Sequence, residues 1–284
     1  IIDSHIHLAD PDRLSYPWMA GAPQLRRHVV PADLKAAAAP VTVESLVFVE
    51  VDVADGQQVA EARWVDGMAA SAKPGEPRVA AVVASLPLER GTAISSDLNQ
   101  LLALKSLRSI RRLIQNQPDP DFCIRPDFIA GLKLLAAHDI AFDICVFHHH
   151  LPNVIRMVDA CPEVRFVLDH IGKPAIREGL MEPWRSDMTA LAKRQNVWCK
   201  ISGVATEADH KRWTPEQLRP YIRHAIDAFG FDRVMFGGDW HVAELAIAYP
   251  RWIEVLDHVV ADAAADEKRR LYRDNAARFY RFAA

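Results

Sequence analysis

The strongest constraint on this chain is a pattern that recurs along its whole length: a short apolar or β-branched run, a loop, then a stretch whose apolar residues return at helical spacing. About eight such runs are present: Ile1–His5, Ser45–Glu50, Arg78–Ala84, Leu107–Leu113, Ile140–Val146, Val164–Asp169, Val197–Ile201 and Arg233–Phe236. Val-Phe-Val-Glu-Val and Arg-Phe-Val-Leu-Asp are nearly continuous in apolar character, as in parallel strands buried on both faces. Parallel neighbours need crossover connections, and helices are legible between the runs. Asp127–His138 sets Phe128, Ile129, Leu132 and Leu135 on one stripe behind Pro126. Thr214-Pro215-Glu216-Gln217 combines a capping residue, Pro at the first helical position and Gln three residues on, and predicts a helix to about Phe229. Asp266 is expected to cap a final helix that turns Leu271, Ala276 and Phe279 inward.

About eight β–α units without a linker-like stretch predict a single α/β domain over residues 1–284, a (β/α)8 TIM barrel. A doubly wound open sheet is the competing architecture. It is disfavoured because no Gly-x-Gly-x-x-Gly follows a strand, whereas chemically capable residues finish several different strands. Composition narrows the partners. With 34 Lys and Arg against 37 Asp and Glu, the formal charge of −3 excludes a strongly basic nucleic-acid binder, and no apolar run reaches the roughly 18 residues that cross a bilayer. Cys123, Cys145, Cys161 and Cys199 form no C-x-x-C pair and are expected as buried thiols. No basic segment leads into an apolar stretch at the start, so the expected location is cytoplasmic. The oligomeric state is not legible.

The residues that can carry chemistry sit where strands end. His5 and His7, two apart in an extended segment, point the same way and can reach one centre. Alone, an H-x-H is a weak signal. Leu168-Asp169-His170 closes the sixth run and Gly237-Gly238-Asp239-Trp240 the eighth, so imidazoles from two strands meet a carboxylate, a set that suits zinc or a similar divalent ion with an open position for water. Glu50 adds a second carboxylate at the end of the second run. In His148-His149-His150, successive side chains diverge, so at most one or two can line a pocket; a polar loop before the next helix is an equal reading. Arg111 and Lys200 lie within strands, where a buried cation needs an anionic partner or a polar substrate. Only one of Arg111 and Arg112 can face inward, and the facing of Lys200 stays open.

Asp3-Ser4-His5-Ile6-His7, Leu168-Asp169-His170-Ile171-Gly172-Lys173-Pro174, Cys199-Lys200-Ile201-Ser202-Gly203, Gly237-Gly238-Asp239-Trp240 and Asn275-Ala276-Ala277-Arg278-Phe279-Tyr280 together resemble the amidohydrolase-related sugar lactonases, the L-fuconolactonase and L-rhamnonolactonase group. The resemblance spans nearly the whole chain. It implies a distorted (β/α)8 barrel that hydrolyses the cyclic ester of an aldonic acid, a small-molecule sugar lactone. Asp239 then acts as general base and His170 beside it as a catalytic group; His5, His7, Glu50 and Asp239 are available to a divalent metal, zinc first, although metal-free catalysis by His and Arg donors is the competing mechanism. Arg111, Lys200, His148, His150, Trp18 and Trp184 are candidate substrate contacts, with Trp240 a further indole. The alternative activity in the same superfamily is metal-dependent decarboxylation of an unsaturated or aromatic acid. This sequence departs from the lactonase pattern at Ser109, where Gly is usual, at Gly238, where Ser is usual, at His241, where Pro is usual, and in the His148–His150 run.

Overall fold

In the computed structural model, which describes residues 1–283, all eight runs are strands: β1 Ile2–Ile6, β2 Ser45–Val49, β3 Arg78–Ser85, β4 Leu107–Leu113, β5 Ala141–Cys145, β6 Phe166–Leu168, β7 Val197–Ile201 and β8 Val234–Phe236. They pair in chain order, every neighbour parallel. β1 and β8 close the ring through a parallel bridge between Ile6 and Trp240, with His7 N–H donating to Trp240 O at 2.7 Å and Asp239 N–H to His5 O at 2.8 Å. The structure is therefore the barrel and not the open sheet. One helix follows each strand: α1 Pro31–Ala38, α2 Gln58–Ala70, α3 Ser95–Leu102, α4 Pro126–Ala137, α5 Leu151–Ala160, α6 Trp184–Ala192, α7 Pro215–Phe229 and α8 Tyr249–Val259. No helix among the described residues is long and apolar enough to cross a membrane.

The local signals act as their chemistry dictates, with one correction. At the start of α7 the Gln217 side chain accepts the Thr214 N–H at 3.0 Å. The final helical segment, α9 Ala265–Arg269, a π-helical turn Arg270–Asp274 and α10 Asn275–Tyr280, is not capped by Asp266. That residue lies inside the first turn, and Glu267 reaches back to the Ala264 N–H at 2.8 Å instead.

Burial separates the two faces of the sheet. Residues such as Leu46, Phe48, Ile110, Phe142 and Phe166 face the helices in the main core. Inside the barrel, Ile2, Val47, Val49, Ala81, Val83, Ala141, Val167 and Met235 form a second apolar cluster with Ala276, Ala277, Phe279 and Tyr280 of α10. α10 thus packs under the strand bottoms, held by Asn275 Nδ2 donating to Val234 O and Phe231 O, both at 2.7 Å. A barrel plugged with apolar groups below leaves its polar interior positions at the opposite mouth.

Candidate active site

At that mouth the backbone leaves β6 and β8 abruptly. His170, Ile171 and Lys173 have φ of 53°, 49° and 46°, and Asp239 has 52°, left-handed conformations that non-glycine residues adopt only where the surroundings enforce them. These turns bring His170 and Asp239 beside the β1 histidines. His5 Nε2 lies 3.2 Å from His7 Nε2. Asp239 Oδ1 is 3.3 Å from His7 Nε2, 3.7 Å from His5 Nε2 and 3.9 Å from His170 Nε2. The His7 Nδ1 sits 2.9 Å from Val49 O; a carbonyl only accepts, so Nδ1 carries a proton and Nε2 is turned toward the cluster. His170 Nδ1 meets Ser202 Oγ at 2.9 Å. The approach needs Gly203: a Cβ there would lie 2.5 Å from His170 Nδ1 and 3.0 Å from Asp239 Oδ2.

Beneath this cluster runs a buried charge network that reassigns several residues. Arg111 faces inward and Arg112 outward, the latter paired with Glu89. Arg111 Nε donates to Glu50 Oε1 at 2.6 Å, and its Nη atoms reach Glu50 O at 2.7 Å and Asp169 Oδ2 at 3.3 Å. Glu50, expected among the metal ligands, is instead committed to Arg111 and, through Oε2, to the Asp52 N–H at 2.8 Å; a desolvated guanidinium holds the nearest carboxylate. Lys200, expected to touch substrate, is fully buried inside the barrel, its ammonium 2.6 Å from Asp143 Oδ2, 3.0 Å from Asp169 Oδ1 and 3.2 Å from His5 Nδ1. Asp143 also accepts from Tyr280 at 2.6 Å and from Ser109, the residue that replaces a Gly, at 2.6 Å. Lys200 is a structural cation below the site.

Burial sets the protonation states. Desolvation, with the Lys200 ammonium alongside, holds His5 well below the ordinary histidine range, and desolvation lowers His170 to about 4. Burial alone would push Asp239 up, but the electrostatic and hydrogen-bonding pull of His170, His7 and His5 outweighs it and leaves the carboxyl below its usual range. The centre therefore presents neutral His5 and His170 imidazoles and an ionised Asp239 carboxylate.

A cavity of about 310 Å³ opens over it, lined by His7, Arg111, His170 and Asp239 from the strand ends and by Trp18, Gln115, Lys173, Glu207 and His210 from the loops. Trp18 is at the wall, its Nε1 donating to Val51 O at 2.8 Å. Trp184 is not: it is buried and donates to Ile171 O at 2.8 Å, so it supports the β6 turn from behind. Trp240 donates to Glu244 at 2.7 Å and lies off the cavity. Of the histidine run, His148 and His149 line a neighbouring basin, while His150 is buried with Nδ1 3.1 Å from Phe147 O. None of the three lines the cavity over Asp239. Lys173, Gln115, Glu207 and His210 were not singled out from sequence. Lys173 could have been found through its place in D-H-x-x-K-P, but the others sit in loops that carry no pattern. The two remaining departures are also placed. His241 is buried with its ring nitrogens 3.2 Å from His7 O and Leu25 O. A Cβ at Gly238 would collide with Tyr249 and Asp3, which already hydrogen-bond each other at 2.7 Å.

The donor set fits a divalent cation. His5, His7 and Asp239 place one ligand atom each within 4.8 Å of one another, as do His5, Asp169 and His170. Ligands at about 2.0–2.1 Å on the corners of a tetrahedron lie about 3.3 Å apart, and the first trio shows 3.2, 3.3 and 3.7 Å. The second trio is poorer, because Asp169 already answers Lys200 and Arg111.

Comparison with known proteins agrees with this geometry. An amidohydrolase family model matches residues 2–282. An L-fucono-1,5-lactonase of Burkholderia multivorans is 31% identical over 98% of this chain and 95% of its own length. Another, from Burkholderia ambifaria, is 35% identical over 72% of this chain and 71% of its own. The crystal structure of a Burkholderia multivorans amidohydrolase with bound zinc superposes with a TM-score of 0.88 at 30% identity, covering 99% of both chains. The chain belongs to the amidohydrolase family.

Proposed function

We propose that the protein is a hydrolase that opens a sugar-derived lactone resembling L-fucono-1,5-lactone. The observation that carries this reading is an ionised Asp239 within 4 Å of the imidazoles of His5, His7 and His170, at the floor of a cavity sized for a small polar molecule. The lactonase relatives supply the substrate class. The carbonyl sits over the cluster. Asp239 Oδ1 faces the histidines, while Oδ2, which makes no hydrogen bond to a side chain among the described residues, takes a proton from the attacking water. Negative charge then develops on the carbonyl oxygen close to the positive charges of Arg111 and of Lys173, whose ammonium donates to Gln115 at 2.6 Å. Trp18 offers an indole edge to the sugar. His5, His7 and Asp239 would hold a divalent ion, zinc by likeness to the solved relative, with His170 beside it; when bound, it polarises the ester and acidifies water. Four cysteines, all buried free thiols, accord with a cytoplasmic setting.

Acid release from a panel of five- and six-membered aldonolactones, followed with a pH indicator, tests the reading. Asp239→Asn should lower kcat by at least about 10³-fold. Acid production that survives this substitution removes Asp239 as the base, and carbon dioxide release from an aromatic acid without lactone opening would replace lactonase by decarboxylase.

A further inference from the structure

Opening a lactone needs two proton transfers in different places: one away from the attacking water, one onto the ring oxygen that leaves. A sugar alkoxide is a poor leaving group, so the second transfer is as necessary as the first. Asp239 answers the first. We infer that Glu207, on the turn Ala205–Glu207 after β7, is the general acid that protonates the leaving ring oxygen. The inference rests on the lactonase reading and extends it.

Three observations carry it. Glu207 lines the same cavity as Asp239 and His170, and it also borders the adjoining basin beside Lys173 and His210, so it stands at the wall between the two spaces. Its carboxyl makes no hydrogen bond or ion pair among the described residues, although most of the residue is buried. Nearly every other carboxylate in the interior is committed: Asp3 to Tyr249, Glu50 to Arg111, Asp143 and Asp169 to Lys200. Its backbone is nevertheless fixed, because Glu207 O accepts the Arg177 N–H at 3.1 Å and Thr206 Oγ1 donates to Gly203 O at 2.7 Å, within the glycine turn that packs on His170. A free carboxyl on a pinned turn is positioned for chemistry and not for support.

Its protonation suits the task. Burial pushes the Glu207 carboxyl up to about 7; the Lys173 ammonium opposes this, and the negative charges of Asp239 and Glu178 reinforce it. Of the three carboxyls that line the cavity, Asp52 is exposed, and the two more buried ones are driven apart, Asp239 toward the ionised form and Glu207 toward the protonated one, the division that assigns base and acid. In the step, water oxygen bonds to the carbonyl carbon and gives one proton to Asp239. The bond from that carbon to the ring oxygen breaks, and the ring oxygen takes the Glu207 proton to become a hydroxyl. The product carboxylic acid ionises to solvent. Asp239 then loses its proton and Glu207 regains one, and both groups are reset.

The test compares leaving groups. Wild type, Glu207→Gln and Glu207→Asp are assayed on an aldono-1,5-lactone, which expels an alkoxide, and on dihydrocoumarin, which expels a phenoxide that needs no proton. An acid role predicts that Glu207→Gln loses about 10²-fold or more in kcat on the sugar lactone but less than about fivefold on dihydrocoumarin, with Glu207→Asp in between. Equal losses on both substrates, or no loss on the sugar lactone, overturn the acid assignment and leave the lactonase reading standing. Wild type inactive on both overturns that reading and the acid role with it. Melting temperatures are taken on the same samples, since a merely structural role would not distinguish the two leaving groups.

Discussion

Gly203→Ala gives the sharpest test of the site geometry, because the structure fixes both of its costs. A Cβ at this position would lie 2.5 Å from His170 Nδ1, against an ordinary contact of 3.4 Å, so the imidazole must retreat by about 0.9 Å. Its Nδ1 would leave Ser202 Oγ, now at 2.9 Å, and Asp239 Oδ2 would be pressed from the same side. A displacement of about 1 Å in a reacting group costs on the order of 10²-fold in rate. Separately, φ of +57° costs an alanine about 1–2 kcal/mol, which lowers the melting temperature by a few degrees, at roughly 2–4 °C per kcal/mol. Gly179 provides the control, with φ of +69° and nothing within 4 Å of its missing Cβ. Gly179→Ala should lose the same stability and keep its activity. The assay is lactone hydrolysis and thermal melting of wild type and both variants side by side. If Gly203→Ala retains kcat within about threefold of Gly179→Ala, the crowding of His170 and Asp239 against the β7 turn is not how the site is built.

Three further outcomes follow from the same contacts. Lys200→Met strands Asp143 and Asp169 in the barrel interior and should cost about 3–5 kcal/mol in urea unfolding; a substrate contact would raise KM and spare stability. Glu61 is buried with Oε1 accepting the Val51 N–H at 3.1 Å and Oε2 without a partner, and burial, reinforced by Glu50, raises its pKa well above the ordinary value. The folded state thus holds this proton while the unfolded chain releases it, so stability from this group is full below about pH 4.5 and falls as pH rises. Glu61→Gln should unfold at higher urea than wild type at pH 8, by about 1–3 kcal/mol, with the gap closing near pH 4.5; a pH-independent gap refutes the protonated state. Zinc at about 100 times its Kd should stabilise wild type by about 2.7 kcal/mol in thermal melts and leave His7→Ala unshifted, whereas no shift in either removes the metal assignment.

Eight strands and most of their bounds were legible because each carries its own signal: apolar β-branched runs for burial on both faces, Pro and Thr at helix starts. The start of α7 followed Thr214 and Gln217, whose interaction is local. The last helix starts two residues earlier than expected, after Ala264, because Glu267 reaches back to the Ala264 N–H while Asp266, inside the first turn, pairs with Arg270, and spacing cannot rank two adjacent acids. At the site, the convergence of His5, His7, His170 and Asp239 was legible because chemistry at a strand end is informative in a barrel. Glu50 and Lys200 were misassigned for a shared reason: a charged residue in a strand must find a partner, but the sequence does not say whether that partner is substrate or another side chain.

The amino-acid order by itself determined the number of strands, their parallel sense, the closed barrel and the four residues that converge on its mouth, since these depend on periodicity and on positions relative to strand ends. Only the tertiary structure decided which buried charges answer each other, that α10 plugs one end while the polar cluster occupies the other, and that Glu207 stands free at the wall. Such facts depend on distances between residues as far apart in the chain as His5 and Lys200, or Asp143 and Tyr280. Electrostatics and desolvation act through space, and no local spacing encodes them.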